Sequence, residues 1–163
     1  CGGEELITFN IEDILEKYTV TIYNIAYHYA KNRQDADDIF QNVCFNLIKK
    51  KPEFNDADHE RAYIIKTAVN TSKSYVRNLW FKKVCFMDRD VSEKTNIEIK
   101  EENELYCKLE KLPAKYRVVI HLYYYEKMSV KEIGQALNKK ESTVKTHLHR
   151  ARKLLREYFD EEE

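Results

Sequence analysis

The sequence predicts an all-α protein: two small helical bundles joined by a flexible linker, the second containing a helix-turn-helix. Three observations carry this. Only 3 Gly and 2 Pro occur in 163 residues, too few turn residues for a β-rich or disordered chain. Apolar residues recur every three or four positions through residues 11–82, and again from 104 onward. Between those stretches the periodicity stops, and polar residues such as Asp88-Arg89-Asp90 and Ser92-Glu93-Lys94 take over. The organisation read from this is a first bundle at 11–84, an acidic linker at 85–103 and a second bundle at 104–159.

The first helix is expected over residues 11–31, where Ile11, Ile14, Leu15, Tyr18, Ile22, Ile25, Ala26 and Tyr29 keep the helical spacing. Asn32 and Arg33 end it. The second runs from Asp35 to Lys50, with Ala36, Ile39, Phe40, Val43, Cys44 and Leu47 facing inward. Pro52 stops it, because proline disfavours helix at the residue before it. Residues 53–59 read as a polar loop with one exposed aromatic, Phe54. A long helix over 60–82 turns Ile64, Ile65, Ala68, Val69, Tyr75, Val76 and Leu79 to one side. It turns Lys66, Asn70, Lys73 and Arg77 to the other.

Beyond the linker, Leu105, Leu109 and Leu112 restore the pattern. Pro113 opens the next helix, which continues through Val118, Val119, Ile120 and Leu122 to about Tyr125. Apolar neighbours place most of Tyr123, Tyr124 and Tyr125 in the core rather than against bases. Ser129 with Glu132 three residues on forms a capping box that starts a helix ending at Leu137. Asn138 suits the left-handed conformation of a tight turn. Glu141 or Ser142 caps the last helix, whose buried stripe is Val144, Leu148, Ala151 and Leu155. Ser142, Lys145, Thr146, His149, Arg150, Arg152, Lys153 and Arg156 take the outer face. Such a pair of helices has the geometry that enters a DNA major groove.

Formal net charge is zero, yet it is unevenly distributed. Residues 1–60 carry 6 Lys/Arg against 12 Asp/Glu, and residues 61–84 carry 6 against none. Residues 85–112 are again acidic, residues 113–157 carry 11 basic against 4 acidic side chains, and the tail from 158 is acidic. Nucleic acid responds to local charge, so two basic blocks on patterned helices point to two nucleic-acid surfaces. Cys1, Cys44, Cys85 and Cys107 have no zinc-knuckle or redox spacing. No signal peptide or membrane span is evident, and a cytoplasmic setting is expected. The chain begins Cys1-Gly2-Gly3 rather than Met, so it does not fix a natural N-terminus. No catalytic grouping, glycine-rich phosphate loop or metal cluster is visible, so neither an enzyme nor a cofactor is expected.

Three stretches resemble one family. Asp35-Ala-Asp-Asp-Ile-Phe-Gln-Asn-Val-Cys-Phe-Asn-Leu47 resembles the core-binding helix of bacterial sigma-70-type initiation factors. Arg61 to Arg77 resembles their −10 helix. Leu112-Pro113, Arg117, Ser129, Glu132-Ile133, Thr143-Val-Lys145 and Arg150-Ala-Arg152 resemble their −35 domain. Two domains with a short linker is the layout of the extracytoplasmic-function (ECF) subgroup, and the resemblance covers about residues 11–157. It implies a factor that binds core RNA polymerase, recognises −10 and −35 promoter elements and promotes opening of the DNA.

Residue by residue, the resemblance assigns Asp35, Asp37, Asp38, Gln41 and Asn42 to core polymerase. To the −10 element it assigns Phe54, Asn55, Asp56, Arg61, Tyr63, Lys66, Asn70, Lys73 and Arg77. There Phe54 either stacks on a base or anchors the loop. To the −35 element it assigns Lys139, Lys140, Glu141, Ser142, Thr143, Lys145, Thr146, His149, Arg150 and Lys153. Glu accepts from cytosine and Arg or Lys donate to guanine, while the flanking cations suit phosphates. Arg152 and Arg156 have the acidic tail as an alternative partner.

Several positions depart from the family pattern: Asn42, Tyr63, Lys127 where Gly is frequent, Gly134 where Ala is usual, Asn138, Ser142 and His147. The acidic linker is either a plain tether or a segment threading through polymerase. An anti-sigma factor is left open as a further partner. The competing reading is a stand-alone helix-turn-helix regulator that binds duplex DNA without polymerase.

Overall fold

The computed structural model describes residues 6–85 and 104–161. It is helical, with seven α-helices among the described residues, in two compact units. The first unit holds α1 (Ile11–Ala30), α2 (Arg33–Lys50) and α3 (Ala57–Cys85). The second holds α4 (Glu104–Lys111), α5 (Ala114–Ile120), a π-helical turn (His121–Tyr125), α6 (Val130–Leu137) and α7 (Glu141–Asp160). The linker expected at 85–103 lies, but for Cys85, outside the described residues.

In the first unit, Asn10 starts α1 by accepting from the free backbone N–H groups of Glu12 (3.0 Å) and Asp13 (3.4 Å). Lys31, left-handed at φ 62°, ends it. Asn32 then caps α2, taking the Asp35 N–H at 2.8 Å. Arg33 is therefore the first residue of α2, where the spacing alone placed it in the preceding turn. Ala36, Ile39, Val43 and Leu47 are buried, while Phe40 and Cys44 are half-buried.

The loop before α3 differs most from expectation. Phe54 is fully buried rather than exposed. Its backbone pairs with Ile7 as a short bridge, with N–O distances of 2.7 and 3.3 Å. Its ring meets His59 and Tyr63 edge-on at 5.7 and 5.5 Å. The residues ahead of α1 supply the partner that local spacing cannot reveal. Asp56 caps α3 by accepting the His59 N–H at 2.7 Å, so α3 begins at Ala57, ahead of the expected residue 60. Ile64, Ile65, Ala68 and Val69 fill the core against α1 and α2. Glu60 is buried and joins α3 to α1 through Tyr18 Oη (3.1 Å) and Lys17 Nζ (3.4 Å). Burial, then Glu60, pushes the Tyr18 phenol up to about 12.

In the second unit, buried Arg117 donates to the carbonyls of Glu110 (3.1 Å) and Leu112 (3.0 Å), fixing the bend between α4 and α5. The expected regular helix to Tyr125 widens to a π-turn at His121. A π-turn adds a residue per turn and so rotates the residues beyond it. Tyr124 (53%) and Tyr125 (62%) consequently face solvent and Tyr123 is half-buried, contrary to the expected core placement.

The capping box of α6 forms in both directions: the Glu132 N–H donates to Ser129 Oγ (3.1 Å), and the Ser129 N–H to Glu132 Oε2 (3.3 Å). Asn138 is left-handed at φ 54°. Lys140 caps α7 by backbone position alone, in place of the expected Glu141 or Ser142. Val144, Leu148 and Ala151 are buried and Leu155 half-buried.

Candidate nucleic-acid interface

On α7 and the turn before it, Lys139, Lys140, Glu141, Ser142, Lys145, Thr146, His149, Arg150 and Lys153 are all exposed. Thr143 is half-buried and faces partly inward. The Thr146 hydroxyl donates back to the Ser142 carbonyl at 2.9 Å, which leaves its oxygen as an acceptor. The turn is unusually close. A Cβ on Gly134 would lie 2.8 Å from the Lys139 carbonyl oxygen, and the Lys139 N–H donates to the Gly134 carbonyl at 2.8 Å. The glycine that departs from the family pattern is thus the one that lets α6 and the start of α7 approach.

Arg152 has a partner that the sequence did not suggest. Its Nε donates to Tyr124 Oη at 2.7 Å, and its guanidinium lies 5.5–5.6 Å from the Tyr123 and Tyr124 rings. Two tyrosines of the π-turn hold it. His147 is half-buried with its ring edge-on to Tyr116 at 5.4 Å. Burial, then the charges of Lys139, Lys115 and Arg150, holds its pKa below the ordinary value.

On α3, Lys66, Asn70 and Arg77 are exposed and Lys73 is half-buried, all on one stripe. Arg77 also donates to Ser74 Oγ at 3.4 Å. Arg61 and Tyr63 are half-buried at the start of the helix. Asn55 and Asp56 are exposed beside them, whereas Phe54 lies beneath the loop as its anchor and offers no surface for stacking. One Asp56 oxygen is engaged as the α3 cap.

On α2, Asp37, Asp38, Gln41 and Asn42 are exposed and Asp35 is half-buried. Tyr75 of α3, expected only as an apolar-face residue, reaches this ridge. Its hydroxyl lies 3.0 Å from both Asp35 Oδ1 and Asp38 Oδ2. Burial first, then hydrogen bonds to Asp38 and Asp35, raises its pKa well above that of a free phenol. Tyr23 of α1 hydrogen-bonds Asp37 and is raised by burial and by that carboxylate. Tyrosines of two other helices thus engage the acidic ridge. A groove of about 390 Å³ between α2 and α3, lined by Asn42, Phe45, Asn46, Asn70, Thr71 and Asn78 among others, joins the ridge to the basic stripe.

The family model of sigma-70 region 2 matches residues 14–81, and that of sigma-70 region 4 matches residues 102–155. RNA polymerase sigma factor SigV of Bacillus subtilis is 29% identical over 137 residues, covering 82% of this chain and 81% of its own. The ECF RNA polymerase sigma factor SigW of the same organism is 28% identical over 162 residues, covering 88% and 86%.

Among solved structures, the sigma factor RpoE of Bartonella quintana, in complex with the anti-sigma factor NepR, superposes with a TM-score of 0.74. That match has 16% identity and covers 91% of this chain and 96% of that one. CnrH, solved with the cytosolic domain of CnrY, gives 0.64 at 20% identity over 94% and 89%. These two likenesses speak for the fold. With both family regions matched in order over most of its length, the chain belongs to the sigma-70 family, in its ECF group, and is a transcription initiation factor.

Proposed function

We infer that residues 11–84 engage core RNA polymerase and the −10 element, that 85–103 serve as the linker, and that 104–159 engage the −35 element. In this reading Asp35, Asp37, Asp38, Gln41 and Asn42 contact polymerase. Asn55, Asp56, Arg61, Tyr63, Lys66, Asn70, Lys73 and Arg77 contact the −10 strand. Lys139, Lys140, Glu141, Ser142, Thr143, Lys145, Thr146, His149, Arg150 and Lys153 contact the −35 duplex. The setting is cytoplasmic, the action is non-enzymatic, and anti-sigma factors form a further class of partner.

The observation that carries the reading is that two basic helix faces sit in separate units, the first on a stretch, residues 61–84, that holds no acidic residue. That face adjoins an acidic ridge across the α2–α3 groove. One protein thus offers surfaces of opposite sign to a protein and to DNA. A repressor needs only the second unit. No helix among the described residues is long and apolar enough to cross a membrane.

The test is in vitro transcription with bacterial core polymerase on a pool of promoter fragments. New discrete transcripts that vanish when Lys66, Asn70 and Lys73 become Ala are expected. No transcript and no complex with core, together with tight duplex binding by the chain alone, overturns the reading.

A further inference from the structure

Arg152 of α7 is held by neutral groups. Its Nε donates to Tyr124 Oη at 2.7 Å, and the Tyr123 and Tyr124 rings stand 5.6 and 5.5 Å from its guanidinium. Those two rings meet edge-on at 4.9 Å and form a corner around it. The side chain is exposed, and among the described residues no carboxylate pairs with it. An arginine on a helix surface normally loses rotamer freedom only when it binds something. This one is already ordered, yet it keeps its full charge. The hydrogen bond to Tyr124 uses one of its five N–H groups, so most of its donors remain for a ligand. An ordered cation with unused donors and no counter-ion is a prepared anion site.

Position along α7 decides which anion. At about 100° per residue, Arg152 lies about 20° from Lys145 and about 70° from the middle of the buried Val144–Leu148–Ala151 stripe. Exposed Arg156 falls about 40° from Arg152, on the Lys145 side. These three cations therefore form a row along one flank of the helix, roughly 16 Å long. A helix seated in a major groove turns its centre to base edges and its shoulders to the phosphate strands that wall the groove. A row on a shoulder suits a continuous polyanion better than one carboxylate. The geometry points to Arg152, oriented by Tyr124, as a clamp on a backbone phosphate of the −35 duplex. The π-turn, which lies outside the helix-turn-helix, thereby becomes part of the DNA surface, and its widened pitch sets Tyr124 where α7 needs it. This rests on the reading of α7 as the −35 helix.

The experiment uses polymerase reconstituted with the full chain and a duplex promoter recovered by the transcription assay. Binding is measured across a series of salt concentrations. Arg152→Ala is expected to weaken binding about tenfold, the loss of one charged hydrogen bond at an exposed site. The plot of log K against log salt should become shallower by about 1, and preference among −35 sequences should not change. Tyr124→Phe keeps the ring and the cation, so it should lose about threefold with the slope retained, and that loss should shrink in an Arg152→Ala background. Wild-type affinity in Arg152→Ala, or a loss that keeps the wild-type slope, overturns the phosphate contact; if Lys145→Ala and Arg150→Ala still lose binding, the −35 reading of α7 stands. If those two variants also bind like wild type, that reading falls and takes the clamp with it. An equal loss from Tyr124→Phe in both backgrounds overturns the positioning role. If Arg152→Ala loses affinity for core polymerase to the same extent without DNA, the guanidinium meets a protein carboxylate and the clamp is overturned.

Discussion

Replacing Tyr75 with Phe removes one oxygen and keeps the ring that packs between α2 and α3. That oxygen stands 3.0 Å from a carboxylate oxygen of each of Asp35 and Asp38. A phenol has one proton, so it can satisfy only one of the two carboxylates at a time. It holds both within a fixed distance and so orders the ridge proposed to contact polymerase. Asn32 holds the other oxygen of Asp35, Oδ2, at 2.7 Å, so Asp35 stays put in the variant while Asp38, exposed and linked through Tyr75, is released.

A hydrogen bond to a charged group contributes about 1.5–3 kcal/mol, and exposure of Asp38 puts its share at or below the lower end. Tyr75→Phe is therefore expected to weaken core polymerase binding by roughly tenfold, which corresponds to ~1.4 kcal/mol. The thermal midpoint should move by only a few degrees. Competition between variant and wild-type chains for a limiting amount of core measures this directly. In a double-mutant cycle, Asp38→Asn should cost less once Tyr75 is Phe than in the wild-type background. Wild-type affinity in Tyr75→Phe, or full additivity with Asp38→Asn, would refute the positioning role.

Three further outcomes concern the second unit, each read by thermal unfolding. Lys127 adopts φ 54° between the π-turn and α6, a region costly for a side chain with Cβ, so Lys127→Gly should stabilise by about 1 kcal/mol; no gain would show that the turn is not strained. Gly134→Ala gains about 1 kcal/mol of helix propensity but sets a Cβ 2.8 Å from the backbone oxygen of Lys139, so a net loss of about 1–2 kcal/mol is expected. A raised midpoint in that variant would mean that the turn relaxes freely. His147 has its folded pKa lowered by burial and by Lys139, Lys115 and Arg150. Its neutral form is favoured on folding, so its contribution is fully present above 6.5 and is lost as pH falls through the lowered value. Wild type should lose more stability between pH ~7.5 and ~5.5 than His147→Gln, and equal losses would exclude His147 as the cause.

Most of the helical framework was legible because helix periodicity and capping are local. Ser129 with Glu132, Asn138, and the Val144–Leu148–Ala151 stripe all lie within a few residues of the structure they control. The errors arose where a partner is distant in sequence or where the helix changes pitch. Phe54 read as exposed because Ile7, which pairs with it, lies 47 positions earlier. Asp56 read only as a base reader because its capping role appears once the true start of α3 is known. The tyrosines read as core because their neighbours are apolar, whereas the π-turn in which they lie leaves Tyr124 and Tyr125 exposed.

These same long-range features tie the proposed contact surfaces to the scaffold. The acidic ridge of α2, the loop before α3 and helix α7 each have one side chain or segment fixed by a residue from another element: Asp38 by Tyr75, the loop of Asn55 and Asp56 by Phe54 paired with Ile7, and Arg152 by Tyr124. A contact residue can be recognised from its own type and spacing. Its tether cannot, because the partner that gives a tyrosine or phenylalanine that role lies on another element. Not all of the aromatic residues of this chain, 12 Tyr and 7 Phe, are therefore core, as exposed Tyr124 shows. Some of them order charged side chains that long-range electrostatics alone would leave mobile. Removing such a tether should lower affinity for one partner while leaving the fold intact, and Tyr75→Phe separates those two consequences.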